Sequence, residues 1–281
     1  MAEQRRIVWV HGIGEHRAGY STAWRKVFDP FLELSDGDYL EVLWEPVLEG
    51  RPPGSRGDGR GVRLTLEERA DERQIRDQLE ARLAQQTVIE VAAQGGARSA
   101  RPDARPREWS AARRQVPRGI LDVLLNPGES IGDFARYLAS RRIRLAVKEC
   151  LKLQLRPLIG KRVTISVISH SWGTVVAHDA LVDLASEQPD LRVAHLFTLG
   201  SPLWLVRPFL DERSGRRLAN LAHWTNVHAK GDAVGSWLKP AFRVDRDYEV
   251  PSVGRDAHGS YFVKGNEAVQ RDLIASRILG H

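Results

Sequence analysis

Ser171 is the residue in this chain whose surroundings most clearly favour nucleophilic chemistry. It is the centre of Ser169-His170-Ser171-Trp172-Gly173, which lies between the strand-like run 162–169 and the helical run 174–186. A serine at the top of a sharp strand-to-helix turn exposes its hydroxyl, and small neighbours are needed where backbones pass closely. The following helix directs its N-terminal amides toward negative charge that develops there. We therefore predict that Ser171 is a nucleophile, the alternative being a chance pattern in an ordinary turn.

This pattern resembles the nucleophile elbow of the α/β-hydrolase superfamily, whose usual motif is G-x-S-x-G. Here Ser169 stands in place of the first glycine, and we expect this small residue to fit after a slight adjustment. The resemblance implies a serine hydrolase of the lipase and esterase kind. It also implies a catalytic triad whose members follow the chain order nucleophile, acid, histidine.

Asp232 and His258 are the residues that this order implies for the acid and the base. Asp232 lies in the turn after the strand-like run 224–229, and His258 lies in a glycine-containing loop before the terminal helical run 267–279. Asp232 has an alternative interpretation as a turn aspartate that accepts a backbone hydrogen bond. The other candidates for the acid are Asp245, Asp247 and Asp256. The other histidine after Asp232 is the terminal residue, His281.

A loop near the N-terminus is the candidate for the oxyanion hole, which binds the negative oxygen of a tetrahedral intermediate. His11-Gly12-Ile13-Gly14 follows the strand-like run 6–10 and resembles the His-Gly oxyanion loops of lipases and esterases. We expect the backbone amides of Trp172 and of Ile13, or a neighbour of Ile13, to be the donors, with His11, Gly12 and Gly14 supporting the loop. The alternative is a phosphate-binding glycine loop, but the third glycine and the Lys-Ser/Thr pair of such loops are missing.

These residues require a sheet that brings them together, and the rest of the pattern predicts one. Strand-like runs at 6–10, 39–44, 162–169, 193–199 and 224–229 alternate with helical runs at 22–34, 174–186 and 267–279. Such alternation predicts an α/β fold with a mostly parallel central sheet flanked by helices. The phrase TLGSPLW (198–204) is also similar to lipase-like members, so the resemblance covers about residues 5–48 and 160–281.

Residues 49–159 interrupt the alternation. We predict a catalytic core formed by 1–48 and 160–281, into which 49–159 is inserted as a mainly helical segment with Arg/Gly/Pro-rich loops. Thr65 and Glu68 match a capping box at the start of the helical run 64–94, and 131–159 indicates one or two further helices. The resemblance suggests that the insertion forms a cap or lid over the active site.

The positive charge is concentrated near this insertion. The chain has 42 basic and 36 acidic residues and a net charge of +6, but residues 98–162 alone hold 16 basic and 6 acidic residues. This segment is either a solvated helical face or a contact for an anionic surface. Together with the apolar run 120–125, it favours an acyl ester of moderate or long chain, including a phospholipid, as substrate. The same apolar residues would equally form the core of a cap.

Composition limits which classes of protein and which kinds of site are possible. A hydrophobic fraction of 42% with 28% charged residues is typical of a folded globular protein, and the single cysteine, Cys150, excludes an internal disulfide and a cysteine-built zinc site. The apolar run after Arg6 is shorter than the roughly 7–15 residues of a signal peptide or the roughly 20 of a membrane span. We expect a cytoplasmic protein with no transmembrane segment, no cofactor and no metal.

Other functions stay open at this stage. A catalytically silent α/β-hydrolase scaffold could bind a partner, although the complete set of Ser171, Asp232 and His258 argues against it. The arginine-rich segment lacks the motifs of nucleic-acid readers, so we expect no specific nucleic-acid binding. A thioesterase, a peptidase or an acyltransferase would use the same triad, because a fold does not determine its substrate.

Overall fold

One parallel sheet organises the chain. The computed structural model describes residues 4–13, 16–32, 34–48, 64–94, 127–239, 241–254 and 256–280. Within these residues, six parallel strands form a sheet in the order β2-β1-β3-β4-β5-β6. The strands are β1 (Gln4–Val10), β2 (Tyr39–Val42), β3 (Val163–His170), β4 (Val193–Leu199), β5 (Leu221–Ala229) and β6 (Arg246–Val250).

Helices cover both faces of this sheet. Those described are α1 (Ser21–Leu32), α2 (Glu45–Leu48), α3 (Leu66–Gln94), α4 (Pro127–Ala139), α5 (Arg141–Leu155), α6 (Trp172–Glu187), α7 (Leu203–Val206), a π-helix (Ala268–Ala275) and α8 (Ser276–Leu279). Among them, none combines the length and the apolar character needed to cross a bilayer.

Strand β1, which lies between β2 and β3, is apolar at successive positions because both of its faces are covered. Ile7 and Trp9 lie in a core with α1 and the π-helix, whereas Val8 and Val10 lie in a second core with α3, α4, α5 and α6. All four side chains are fully buried, because alternate residues of a strand point to opposite faces and both faces are covered. The predicted α/β architecture, a parallel sheet flanked by helices, is confirmed.

The sixth strand was not predicted from the sequence. β6 pairs with β5 and forms one edge of the sheet. Its residues Arg246, Asp247 and Glu249 are polar and at least partly exposed, and only Val250 is buried. An edge strand with a solvated face needs no apolar run, which is why hydrophobic patterning missed it.

The helices within residues 64–155 begin at well-defined caps. The predicted capping box is confirmed, since Thr65 N donates to Glu68 Oε2 (2.8 Å) and Glu68 N donates to Thr65 Oγ1 (3.1 Å). The run 131–159 contains two helices, which are separated at Ser140. The Ser140 hydroxyl donates to Glu68 Oε1 (2.7 Å) and accepts from Ile143 N (3.4 Å), so it joins the start of α5 to the start of α3.

Helices α4 and α5 share one core with the sheet. Phe134 of α4 stacks on Trp172 of α6 at 4.1 Å between ring centroids, and Ile143 of α5 belongs to the same buried cluster as Val8 and Val167. The Gly/Pro/Arg-rich stretch 49–61, which belongs to the predicted insertion and is predicted to be a loop, lies outside the described residues, and so does the apolar run 120–125.

Part of the basic segment faces carboxylates of α6. The ion pairs run along the contact between α5 and α6 and join Arg144 to Asp179 (2.6 Å), Lys148 to Asp183 (2.7 Å), and Lys152 to Asp183 (3.0 Å) and Glu187 (2.8 Å). These three cations therefore neutralise a neighbouring helix and do not form an open positive surface.

Candidate active site

The backbone at Ser171 is strained. Ser171 joins β3 to α6 with φ 52° and ψ −134°, and it is the only non-glycine residue with a positive φ in the described part of the chain. Such backbone geometry costs about 1–3 kcal/mol and persists only where the surroundings impose it. Here Ser171 N donates to Leu199 O (3.0 Å), and Thr174 donates to Ser171 O through both its amide (3.0 Å) and its hydroxyl (2.7 Å).

Two glycines allow the turn to pack tightly. A Cβ on Gly12 would lie 2.7 Å from Ser171 Cβ, and a Cβ on Gly173 would lie 2.0 Å from His11 O. No side chain fits at either position, so the loop after β1 lies directly against the Ser171 turn. Ser169, which replaces the usual first glycine, is fully buried and donates its hydroxyl to Phe197 O (2.8 Å). The neighbouring strand thus satisfies the extra polar group.

Asp232 and His258 form a direct pair. His258 Nδ1 lies 3.0 Å from Asp232 Oδ1 and 3.1 Å from Oδ2. The Asp232 carboxylate is fully buried, and it also accepts hydrogen bonds from Tyr261 OH (2.7 Å) and from the amides of Val234 and Gly235 (3.0 Å each). This set of donors fixes the carboxylate and the imidazole that it faces.

The pair has the charge states that a triad requires. Burial by itself raises the pKa of Asp232, but His258, Tyr261 and the Gly235 amide outweigh it and hold that pKa well below its usual value. Burial lowers the pKa of His258, but the Asp232 charge outweighs it and raises that pKa above 6.5. Asp232 is therefore anionic at neutral pH, and His258 is basic enough to accept a proton.

Ser171 and His258 lie at the same end of the sheet, where the strands have their carboxyl ends. Ser171 N bonds to Leu199 O, and a Cβ on the next residue, Gly200, would lie 3.0 Å from His258 Nδ1 and 2.8 Å from Asp232 Oδ2. No hydrogen bond joins Ser171 to His258 in the described structure, and such bonds often tighten only when substrate binds. Because Nδ1 faces Asp232, Nε2 is the nitrogen left for a proton transfer.

The predicted oxyanion donors belong to the two segments that meet at Ser171. Trp172 opens α6, where the first amides of a helix have no intrahelical partner. Ile13 follows Gly12 and packs, partly buried, against the core. Gly14, the third residue predicted to support this loop, lies outside the described residues.

The other acidic candidates bond elsewhere. Asp245 accepts from Arg217 (2.7 Å) and from Trp224 N (2.8 Å). Asp247 holds the β5–β6 connection, since it accepts from Asn226 Nδ2 (2.7 Å) and from the amides of Leu238 and Lys239 (2.8 Å each). Asp256 accepts from the backbone amide of His258 (3.0 Å), while Asp232 alone contacts its ring nitrogen. His281 lies outside the described residues.

Sequence reasoning missed two supporting side chains. Tyr261 accepts from Ala229 N (2.8 Å) while it donates to Asp232, so it ties the acid to the end of β5. His170 Nε2 donates to His258 O (2.8 Å), and the two rings lie 4.6 Å apart. Burial lowers the pKa of His170 to about 3, so its ring is neutral. Both residues lie within the motifs already singled out, but only the fold reveals their partners.

His11 of the loop after β1 and two side chains beside it could hold a metal ion. His11, His16 and Glu45 each have a donor atom within 4.8 Å of those of the other two, and this is the only such group of histidine, cysteine and acidic residues among the described residues.

No protein-family model, curated protein or solved structure matches this chain. The class of protein is therefore given by the fold alone. The chain is an α/β protein whose six-stranded parallel sheet is flanked by helices, and this architecture is compatible with that of the α/β hydrolases.

Proposed function

We propose that this protein is an α/β-hydrolase-type serine hydrolase that cleaves carboxylic esters with Ser171, His258 and Asp232. The observation that carries the proposal is the strained turn at Ser171. Strain of this kind is concentrated at functional sites, and here it occurs at the end of the sheet that also holds a buried Asp-His pair. A residue selected for packing alone would not need this conformation.

In the proposed mechanism, His258 Nε2 takes the proton from Ser171 Oγ as Oγ attacks the ester carbonyl carbon. The carbonyl π electrons move onto oxygen, and the amides of Trp172 and Ile13 stabilise that oxyanion. When the intermediate collapses, the bond to the leaving alkoxide breaks and His258 supplies the proton. Water then attacks the acyl-enzyme, again with His258 as base, and releases the acid and free Ser171.

The surrounding groups hold this machinery in place. Asp232 orients His258 and stabilises its cationic form, and Tyr261 and the amides of Val234 and Gly235 keep Asp232 ionised in a buried position. Loss of one oxyanion donor costs on the order of 3 kcal/mol of transition-state stabilisation in related chemistry. The close packing at Gly12, which precedes the proposed donor Ile13, therefore matters to the reaction nearly as much as the triad does.

The substrate class in this proposal is an acyl ester of moderate or long chain, including phospholipids, and the segment that bears on it is the insertion 49–159. Its support is the composition of that segment, with its apolar run 120–125 and its local excess of basic residues. Hydrolysis of liposomes that depends on anionic lipid and on salt would support this substrate class.

Labelling with a fluorophosphonate probe tests the catalytic proposal. The intact chain and the Ser186→Ala variant should be labelled, whereas Ser171→Ala should not, and mass spectrometry should locate the adduct on Ser171. Ser186 is a suitable control because its hydroxyl bonds only to Asp183 O on the outer surface of α6. An intact chain that resists the probe, and that hydrolyses no ester from short to long acyl length, would favour the silent-scaffold alternative.

A further inference from the structure

Three potential metal ligands meet beside the oxyanion loop. His11 follows β1, Glu45 begins α2, and His16 lies between them in the chain, with its Nδ1 3.6 Å from Glu45 Oε2. One donor atom from each residue lies within 4.8 Å of the other two. His11 and His16 belong to one loop, whereas Glu45 is distant in sequence and joins them because β2 pairs beside β1, so no spacing motif reveals the full set.

His11 has a buried nitrogen with no protein partner. The residue is fully buried, and its Nδ1 donates to Gly12 O, which assigns the ring proton to Nδ1 and leaves a lone pair on Nε2. Nε2 has no hydrogen-bond partner among the described residues. An unsatisfied buried polar atom lowers the stability of the fold, and a bound ion would remove that cost.

The ring of His11 is held in place by its neighbours. It stacks on Trp44 at 5.2 Å and on His16 at 4.1 Å, and the edge of Tyr20 contacts it at 4.8 Å. Tyr20 OH donates to Trp9 O (2.6 Å), so it serves the backbone and not the cluster. An imidazole binds a metal ion in the plane of its own ring, so the partly exposed His16 ring would turn out of this stack to share an ion with His11.

The donor set and the spacing match a particular kind of ion. Two imidazole nitrogens and one carboxylate oxygen favour first-row transition metals over Mg²⁺ or Ca²⁺. Bonds of about 2.0–2.1 Å in a tetrahedral site put ligand atoms about 3.3 Å apart. His16 and Glu45 nearly meet this separation already, and the separations from His11, which are at most 4.8 Å, would shorten by up to about 1.5 Å.

We propose that His11, through Nε2, together with His16 and Glu45 binds one divalent transition-metal ion of the Zn²⁺ type, with the remaining position open to water. This contradicts the sequence-based expectation that no metal is present. The ion would tie the loop after β1 to the start of α2, next to Gly12 and the Ser171 turn. No step of the proposed hydrolysis uses it, so the two proposals stand or fall separately.

Zinc binding by the purified full-length chain tests the proposal. After chelation and re-addition of Zn²⁺, the wild type should retain one ion per chain through gel filtration, measured by elemental analysis. Glu45→Gln and His16→Gln should weaken binding by more than the roughly 10–100-fold that loss of an outer-shell partner causes. The matched control is His223→Gln, because exposed His223 stacks on another histidine, His195, at 5.8 Å and its loss should not alter retention.

Cobalt provides a readout that needs no variant. Co²⁺ bound by the wild type should give the intense visible absorption of a site with low coordination number, and Zn²⁺ should abolish it. Failure of the wild type to retain Zn²⁺, the weak spectrum of hydrated Co²⁺, or equal retention by folded Glu45→Gln and His16→Gln would each overturn the proposal. The cluster would then be only a set of packed aromatic rings with a structural role.

Discussion

Two buried aspartates in this molecule have similar surroundings but different partners. Asp179 of α6 accepts from Tyr137 OH (2.6 Å) and from Arg144 Nε (2.6 Å) and Nη2 (2.9 Å). Asp232 also accepts from a buried tyrosine, but its nitrogen partner is the imidazole of His258. In both cases burial alone raises the carboxyl pKa, and the hydrogen-bonded partners outweigh it and lower that pKa.

The comparison shows how the partner determines the role of a buried carboxylate. Arg144 stays cationic at every accessible pH, so its pair with Asp179 is a permanent brace between α5 and α6. His258 can gain and lose a proton, with a pKa that Asp232 raises above 6.5, so its pair with Asp232 can take part in a reaction. Similar hydrogen-bonding geometry therefore gives a structural clamp in one place and a candidate acid-base site in the other.

The largest expected difference between the two aspartates is in activity. Asp232→Asn should lower kcat for ester hydrolysis about 10⁴-fold, because the amide no longer favours the reactive tautomer of His258. Asp179→Asn should keep kcat within a few fold of wild type when assayed well below its melting temperature. Steady-state kinetics on one ester substrate measures kcat of both variants. If a folded Asp179→Asn protein lost as much activity as Asp232→Asn, the two aspartates would not differ in function.

Arg144→Ala should cause the largest loss of stability. It leaves the Asp179 carboxylate buried, with Lys148 3.8 Å away as the remaining cation, and should lower the free energy of unfolding by about 3–5 kcal/mol. Urea denaturation measures the change. Arg213→Ala is the control: Arg213 pairs with Asp211 at the exposed surface, so its loss should cost at most about 1 kcal/mol. Equal changes in the two variants would show that the Asp179 pair is not a brace.

The two tyrosines should give smaller and unequal effects. Tyr137→Phe and Tyr261→Phe each remove a hydroxyl from a buried carboxylate, at about 1–3 kcal/mol of unfolding free energy. Tyr261→Phe should be the more costly, since it also leaves the amide of Ala229 without its acceptor. Denaturation of both variants beside wild type checks the order, and a reversed order would mean that the Ala229 contact contributes little.

The smallest effect is the pH dependence of stability. His258 has a folded-state pKa above its unfolded value, so its contribution is fully present below about pH 6.5 and is lost as pH rises through the folded pKa. The stability difference between wild type and His258→Gln should therefore shrink from about pH 6 to about pH 9. The difference between wild type and Arg144→Ala should stay constant over that range, because arginine does not titrate there.

The same raised pKa predicts the pH profile of the reaction. His258 must be neutral to act as a base, so kcat/KM should increase with pH across a pKa above 6.5. A profile that is flat from about pH 6 to about pH 9 would contradict the role of His258.

Much of the fold was predictable from local pattern, and the reasons differ between elements. The strand 193–199 was predicted with its observed bounds, because a mostly apolar run is typical of a parallel strand that is largely buried. The α/β alternation likewise follows from covering both faces of a sheet. The edge strand β6 follows from pairing with β5, which leaves little local signal. The predicted terminal helical run 267–279 is present as the π-helix followed by α8, and only its π geometry was not predicted.

The candidate site was predictable only as a set of separate residues. Chain order and loop position selected Asp232 and His258, and the structure brings those two together within 3.0 Å. Tyr261 and His170 have partners that are close in space but distant in sequence, so no pattern assigned them a contact. The same reason hid the His11 cluster, whose members meet only when β1 and β2 lie side by side.

The φ of 52° at Ser171 has an evolutionary consequence. Glycine adopts this backbone without strain, so Ser171→Gly would recover part of the roughly 1–3 kcal/mol that the turn costs. Drift under selection for stability alone would be expected to replace a serine that had lost its purpose. A serine at this energetically unfavourable position fits the trade-off between stability and activity that the proposed nucleophile would impose.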